Sequence, residues 1–322
     1  MSGETRTVKQ KEGRVTGLRS KALGRQGFGY AMLVPATLPL ILVSVYPVLR
    51  GVWLSLTNYN MLRPGRNDFV GLQNYLNMLK DDVFLSSLGF TFIYTLMVVV
   101  ISYLTGFALA LLLNREIRFR ALFRTIFLLP WVIPSVVAVV NWTWIMNDQV
   151  GFINVFLQNI GLIDKPILFL ADYKLIRPTV IMVAAWKQTP FMMITLLAGL
   201  QSVPKDLYEA ASIDGAGFWR SLFNITLPTI QPVTYISTML NFVWTFNSFE
   251  NIWLMTAGGP NGHTFTLPIF SYYTAFLSQN TSYASAIASS MIVVLAILSV
   301  LYLHVQTRGK ERKFGLKAGA VK

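Results

Sequence analysis

Six apolar stretches, each long enough to cross a bilayer, leave this chain few ways to fold. About 20 helical residues traverse about 30 Å of hydrocarbon. The runs extend from Tyr30 to Leu54, Leu88 to Leu113, Leu122 to Ile145, Ile176 to Leu200, Leu227 to Leu254 and Tyr283 to Val305. Several contain proline (Pro35, Pro39, Pro47, Pro130, Pro134, Pro190), which membrane helices tolerate better than soluble ones. Only 13% of residues are charged, against about 25% in a soluble domain, so a charged shell around a buried core is excluded. The expectation is an all-α polytopic membrane protein with six transmembrane helices.

Lysine and arginine are unevenly divided between the two sides. One side carries seven before Tyr30, four in the 114–124 loop, two in 202–226 and six after Val305. The other side carries three in 58–85, three in 147–177 and none in 255–282. Basic residues at membrane ends favour the cytoplasm, so both termini are expected inside. The net charge of +13 is therefore topology, not a nucleic-acid footprint. Residues 1–29 and 306–322 read as basic cytoplasmic tails flanking a membrane domain over 30–305. The first tail reads as disordered, with a membrane-lipid surface as its candidate contact. The first apolar run is too long for a cleavable signal peptide and lacks a small-residue cleavage site.

Familiar enzyme signatures are missing. The sequence has no phosphate loop of the G-x-x-x-x-G-K-[ST] form, no His-Glu-x-x-His, no nucleophile elbow and no cysteine. His263 and His304 have no metal-spaced partners in sequence, so no catalytic residue and no metal ligand is assigned. Outside loops are short. "GFINVFLQNIGL" is apolar at helical spacing (Ile153, Phe156, Leu157, Ile160) and suits a helix lying on the surface.

One polar segment interrupts the apolar pattern, "EAASIDGAGFWRSLFNITLP" from Glu209 to Pro228. Ser202 suits an N-cap and Pro204 a first turn. A short helix over "KDLYEAASID" places Leu207, Ala210, Ala211 and Asp214 on one face. Gly215 accepts a positive φ and ends it. A second short helix, "FWRSLFNI", follows, and Leu227-Pro228 opens the next span. Composition alone allows either a mere connector or a knob for another protein.

Ionisable groups at membrane depth are functional candidates by default. Lys187 lies mid-span beside Gln188, and Glu250 lies near an outer end. Asn241, Trp244, Thr245 and Ser248 form one polar-aromatic stripe on the fifth run; Asn247, Glu250 and Asn251 form another. Helix packing and ligand contact both remain open for these residues.

The spacing Glu209-Ala210-Ala211, three residues, Gly215, nine residues, Ile225-Thr226-Leu227-Pro228 resembles the cytoplasmic loop signature of ABC-importer permease subunits. "FVGLQNY", "WKQTPFMMITLLAGLQSVPKDLYEAASIDGA" and "TAGGPNGHTFTLPIFSYYTAF" are similar to the maltose, multiple-sugar and glycerol-3-phosphate type, across about residues 30–305. The maltose-type founding member has extra N-terminal spans and a large outside domain, both lacking here. The resemblance implies a type I importer permease fold and an ATPase-coupling loop over 202–228, with Glu209, Ala210, Ala211, Asp214, Gly215, Ile225, Leu227 and Pro228 as coupling residues. It implies a second homologous permease, a dimer of ATP-binding subunits and an extracytoplasmic solute-binding protein as partners, in a prokaryotic inner membrane. ATP and Mg would be bound by the ATPase partners, leaving no cofactor and no enzyme activity in this chain. Counted from the Glu209 signature, sugar-contacting positions fall on Asn241, Trp244, Thr245 and Ser248, and on Lys187, Gln188 and Phe191. A sugar, of two or more units, is the implied solute; glycerol-3-phosphate or another non-sugar solute is the alternative. A secondary transporter, a channel and an assembly scaffold are the competitors from other classes.

Overall fold

The computed structural model describes residues 32–319 except 63, 64 and 66; the expected tail over 1–29 lies outside the described residues. Within the described residues all six apolar runs are mainly helical, two of them with a break. Helix α1 (Met32–Ser55) lies along the outside of the bundle, with every side chain from Met32 to Arg50 exposed. It packs on the C-terminal helix. After a short α2 (Gln73–Met78) comes α3 (Asp82–Asn114), the 33-residue backbone of the fold. Asp81 caps it, accepting from Val83 N at 2.9 Å and Phe84 N at 3.3 Å. The other carboxylate oxygen accepts from Tyr283 Oη at 2.6 Å, which ties the start of α3 to the last helix.

The third run is broken. Helices α4 (Arg120–Val132) and α5 (Ser135–Ile145) meet at 95°. Pro134 has no N–H to continue the ladder and forces Ile133 into an extended conformation (ψ 131°). A surface helix α6 (Phe152–Asn159) follows where the sequence places one. Its fully buried residue is Asn154, whose amide bonds Asn147 O and Ile167 O and accepts from Ile167 N. Helix α7 (Ile176–Gln201) is the partner of α3. A Cβ at Gly106 would sit 2.7 Å from Met192 Cβ, so only glycine permits this approach.

The loop region contains α8 (Lys205–Ile213) and α9 (Phe218–Ser221). The latter runs through a π turn (Leu222–Thr226) into α10 (Leu227–Phe246) without a gap, so the expected separate second helix is the first turn of the fifth span. That span also ends early. Asn247 Nδ2 donates to Val243 O at 2.8 Å, competing with the helix ladder. The chain turns and resumes as α11 (Glu250–Thr256), so the run to Leu254 is not one helix. Helices α12 (Leu267–Tyr272) and α13 (Thr281–Gly319) complete the chain, with residues 306–319 continuing α13.

Among the described residues, helices α1, α3, α7 and the Thr281–His304 part of α13 are each long and apolar enough to span, and counting the bent α4–α5 pair as one span brings the number to five; α10, cut short at Asn247, is not among them, so the sequence expectation of six is met by four or five. Three buried clusters make up the core: Phe90, Val98, Val180 and Ile252; Leu113, Met192, Leu196 and Ile230; and Phe84, Phe246, Leu267 and Ile287, the last on α13.

Candidate functional site: a pocket at a helix break and an exposed loop

At the α4–α5 break the chain leaves a carbonyl without a helical partner. Lys187 Nζ, from mid-α7, donates to Ile133 O at 2.9 Å. Unsatisfied backbone in hydrocarbon costs several kcal/mol, so this bond accounts for a lysine at membrane depth. Around it is a cavity of about 440 Å3 lined by Lys187 and Ile133 themselves together with Trp131, Val132, Pro134, Ser135, Gln188 and Trp244. Phe191 meets the Trp244 ring edge-on at 4.9 Å. Lysine and amide donors beside an exposed indole face make a site that can hold a polar, hydroxyl-rich molecule.

The structure thus brings together Lys187, Gln188, Phe191 and Trp244 of the expected path and separates the others. Asn241 and Thr245 are buried in a helix contact. Asn241 Nδ2 donates to Ser102 Oγ on α3 at 2.8 Å, and Thr245 Oγ1 donates to Asn241 Oδ1 at 3.1 Å. The stripe is split because α10 packs two of its polar residues onto α3 and leaves Trp244 46% exposed. Ser248 is half-buried in the turn after α10, its N–H bonded to Thr245 O at 3.0 Å. Glu250 starts α11. Trp131, Ile133, Pro134 and Ser135 were not singled out as pocket residues; the signal for them was a proline pair, Pro130 and Pro134, inside one apolar run.

In the polar loop, α8 forms as expected, and Gly215 ends it at φ +70°. The N-cap differs. Ser202 instead closes α7, its Oγ donating to Gly199 O at 2.7 Å, and Pro204 takes the N-cap of α8 with no side-chain cap. Glu209, Ala210, Asp214 and Pro228 are exposed and Ala211 half-buried. Ile225 and Leu227 pack into the core with Leu200 and Ile230. A residue absent from the sequence assignment does the anchoring: Tyr208 packs into that core, and its hydroxyl bonds Thr226 Oγ1 at 2.9 Å. Ile213, Phe218 and Trp219 project from the loop at 87%, 51% and 67% exposure. Among the described residues no three His, Asp or Glu side chains gather at metal-binding spacing.

Comparison with known proteins places this architecture. Residues 102–310 match the family described as binding-protein-dependent transport system inner membrane component. The trehalose/maltose transport system permease protein MalF of Thermococcus litoralis is 32% identical over 291 residues, 89% of this chain and 97% of that protein. The trehalose transport system permease protein SugA of Mycobacterium tuberculosis is 31% identical over 282 residues, 87% of this chain and 89% of that one. Among solved structures, a chain of a bacterial ABC transporter that imports the acidic polysaccharide alginate superposes with a TM-score of 0.78 at 24% identity, covering 89% of this chain and 98% of that one. The fold is therefore that of a type I importer permease, and the chain belongs to the binding-protein-dependent transport system inner membrane components, the non-catalytic permease subunits of ABC transporters.

Proposed function

We propose that this chain conducts a sugar of two or more units through the inner membrane as one permease of an ATP-driven importer. The observation that carries the reading is mechanical. From Phe218 to Phe246 the backbone is one continuous helical rod. One end joins the loop bearing Glu209 through the Tyr208–Thr226 bond, and the other end holds Trp244 in the pocket. That rod is roughly 40 Å long at 1.5 Å per residue. A push on the loop therefore reaches the pocket wall.

A second, homologous permease, a dimer of ATPase subunits and an external binding protein complete the machine. ATP and Mg act on the ATPase subunits. Their closure moves α8, with Glu209 as the polar contact and Gly215 as the turn, and shifts the cavity between inward- and outward-facing forms. The free energy enters as the different affinity of ATP for the two forms. Both termini, the 202–228 loop and the basic tails face the cytoplasm, consistent with their lysine and arginine content. Lys187, Gln188, Phe191 and Trp244 contact the solute, and Asn241 and Thr245 hold α10 against α3. A carbohydrate is supported by the relatives' trehalose and maltose solutes and by the pairing of an indole face with hydrogen-bond donors.

The test is ATPase activity of the reconstituted assembly, with Glu209→Lys beside wild type and the loaded binding protein added or withheld. Stimulation of wild type alone supports coupling through this loop. Equal stimulation of a co-purifying variant assembly removes Glu209 from the contact, and failure of any ATPase to co-purify with wild type removes the importer reading.

A further inference from the structure

A cavity of about 670 Å3 opens at the end of the bundle away from the 202–228 loop. Helices α3 and α7 run side by side between the two ends: Phe90 and Val180 share a core near their starts, Leu113 and Leu200 near their ends. From Asp82 at the cavity to Leu113 is roughly 45 Å of helix. On the proposed topology this end faces outward. The cavity shares no residue with the one at the α4–α5 break. Its walls come from the start of α3 and from the glycine-rich turn after α11. Asp82 and Ser86 stand one turn apart on one face of α3, and His263, Phe265 and Tyr273 line it from the second segment. That segment is braced in place. Arg177 Nε donates to His263 O at 2.8 Å, Asn261 Nδ2 to Tyr173 Oη at 2.7 Å and Thr264 Oγ1 to Gly259 O at 2.9 Å. Gly258 and Gly262 have φ +86° and +74°, and a Cβ on either would collide with the Phe265 ring, so the turn wraps that ring closely. The cavity is thus preformed, which lowers the ordering cost of filling it.

Its polar side chains are uncommitted. The Asp82 carboxylate, the Ser86 and Tyr273 hydroxyls and the His263 imidazole make no hydrogen bond to another described residue, and all four residues are exposed or half-buried. The backbone at the start of α3 is not the attraction, because Val83 N and Phe84 N already bond Asp81. The mixture of groups selects the ligand. One carboxylate and no lysine or arginine line the cavity, which disfavours an anion. A basic side chain offers donors alone and suits a set of acceptors, whereas Ser86, Tyr273 and His263 can each donate as well as accept. Sugar hydroxyls do both, and a carboxylate can take two neighbouring hydroxyls of one ring. Tyr273 is 37% exposed and packs on Phe265 at 5.2 Å, which offers an aromatic face to the C–H groups of that ring.

We propose that this cavity binds a neutral pyranose sugar, as a carbohydrate site separate from the cavity at the α4–α5 break. Asp82 accepts from two of its hydroxyls, Ser86 and His263 bond others, and Tyr273 covers one face. The inference needs no transport step and goes beyond the importer reading, which assigns nothing to these residues.

The chain has no cysteine, so Val83→Cys, on the cavity wall and 47% exposed, supplies a single reporter thiol. The full-length variant is purified in neutral detergent with whatever subunits co-purify, and its rate of maleimide labelling is followed with glucose or maltose added. Saturating sugar slows that labelling severalfold, whereas Val150→Cys, exposed and outside the cavity, labels at an unchanged rate. Asp82→Asn in the reporter chain raises the sugar concentration for half-protection about tenfold. Tyr273→Leu raises it as well, and glucuronate protects less than glucose. No protection by either sugar overturns the site, as does protection that both substitutions leave undiminished. Protection by lysinamide and not by glucose also overturns it, and marks a socket for a basic side chain of a partner protein. No transport or ATPase activity enters the readout, so failure of the importer reading is separately visible.

Discussion

The loop around α8 and the pocket at the α4–α5 break are joined by one helix but held in opposite ways. The loop is local and stiff. Its inner side chains, Tyr208, Ile225 and Leu227, pack into the core under α7 and α10, while its outer face stays bare. The pocket is a seam. Its walls come from α4, α5, α7 and α10, and the bond crossing it at the break is Lys187 to a carbonyl that Pro134 has displaced from the ladder. On the proposed importer reading, the loop would transmit displacement along the rod and the seam would absorb it.

The largest effect is expected at the stiff end. Gly215 has φ +70°, and a Cβ there would meet no atom within 4 Å, so a substitution acts on the backbone alone. Valine resists the left-handed region, at a cost of about 1–3 kcal/mol. Gly215→Val therefore re-aims α8 and should lower ATP-driven uptake by vesicles at least roughly tenfold, with the assembly still formed. Gly215→Asn, which tolerates positive φ, should retain most uptake. Equal loss in both variants would mean that the loop needs the absence of a side chain, not the turn, and the stiff-end picture would be broken.

At the seam, Lys187→Met leaves Ile133 O with no donor, at a cost of about 1–3 kcal/mol. The expected result is a lower unfolding temperature and weaker solute binding to the permease. Lys187→Arg should restore the temperature more fully than the binding, because a guanidinium can reach the carbonyl but reshapes the cavity. A variant with unchanged stability would show that the lysine faces only the solute, and that the seam is not clipped.

Asn241→Leu separates packing from path. Two hydrogen bonds are lost at roughly 0.6 kcal/mol each in a membrane, so stability falls by about 1 kcal/mol while solute affinity stays within twofold of wild type. A large loss of affinity with stability unchanged would return Asn241 to the path and make the pocket wider than its present lining.

How far these features were legible follows from how local they are. The helix α8 and its end could be read because its residues and its breaker, Gly215 at φ +70°, lie within one stretch of sequence. The unbroken runs that became α1, α3, α7 and α13 could be read because apolar length is a one-dimensional property, whereas the same property hid the breaks inside the third and fifth runs. The break at Pro134 was visible only as a proline in an apolar run, since its 95° angle depends on what α7 offers the freed carbonyl. The Asn241 stripe was legible as a face of a helix but not as a buried one. Ser102, its partner, lies 139 residues away on α3, and no periodicity connects them. The Ser202 assignment failed for a simpler reason: a serine between two helices can close the first or open the second, and its hydroxyl went back to Gly199 O.

The smallest expected effect lies where rod meets loop. Tyr208→Phe keeps the ring in the core and removes the hydroxyl bonded to Thr226, a loss at the low end of roughly 0.5–1.5 kcal/mol. Unfolding temperature should barely move. If that bond transmits displacement, ATPase turnover should rise relative to solute transported, because the loop follows the ATPase while α10 lags. Thr226→Val removes the same bond from the other side and should give the same ratio, and the double variant should add nothing. An additive double variant would place the coupling elsewhere in the packing of Ile225 and Leu227, leaving the rod in contact with the loop through apolar surface alone.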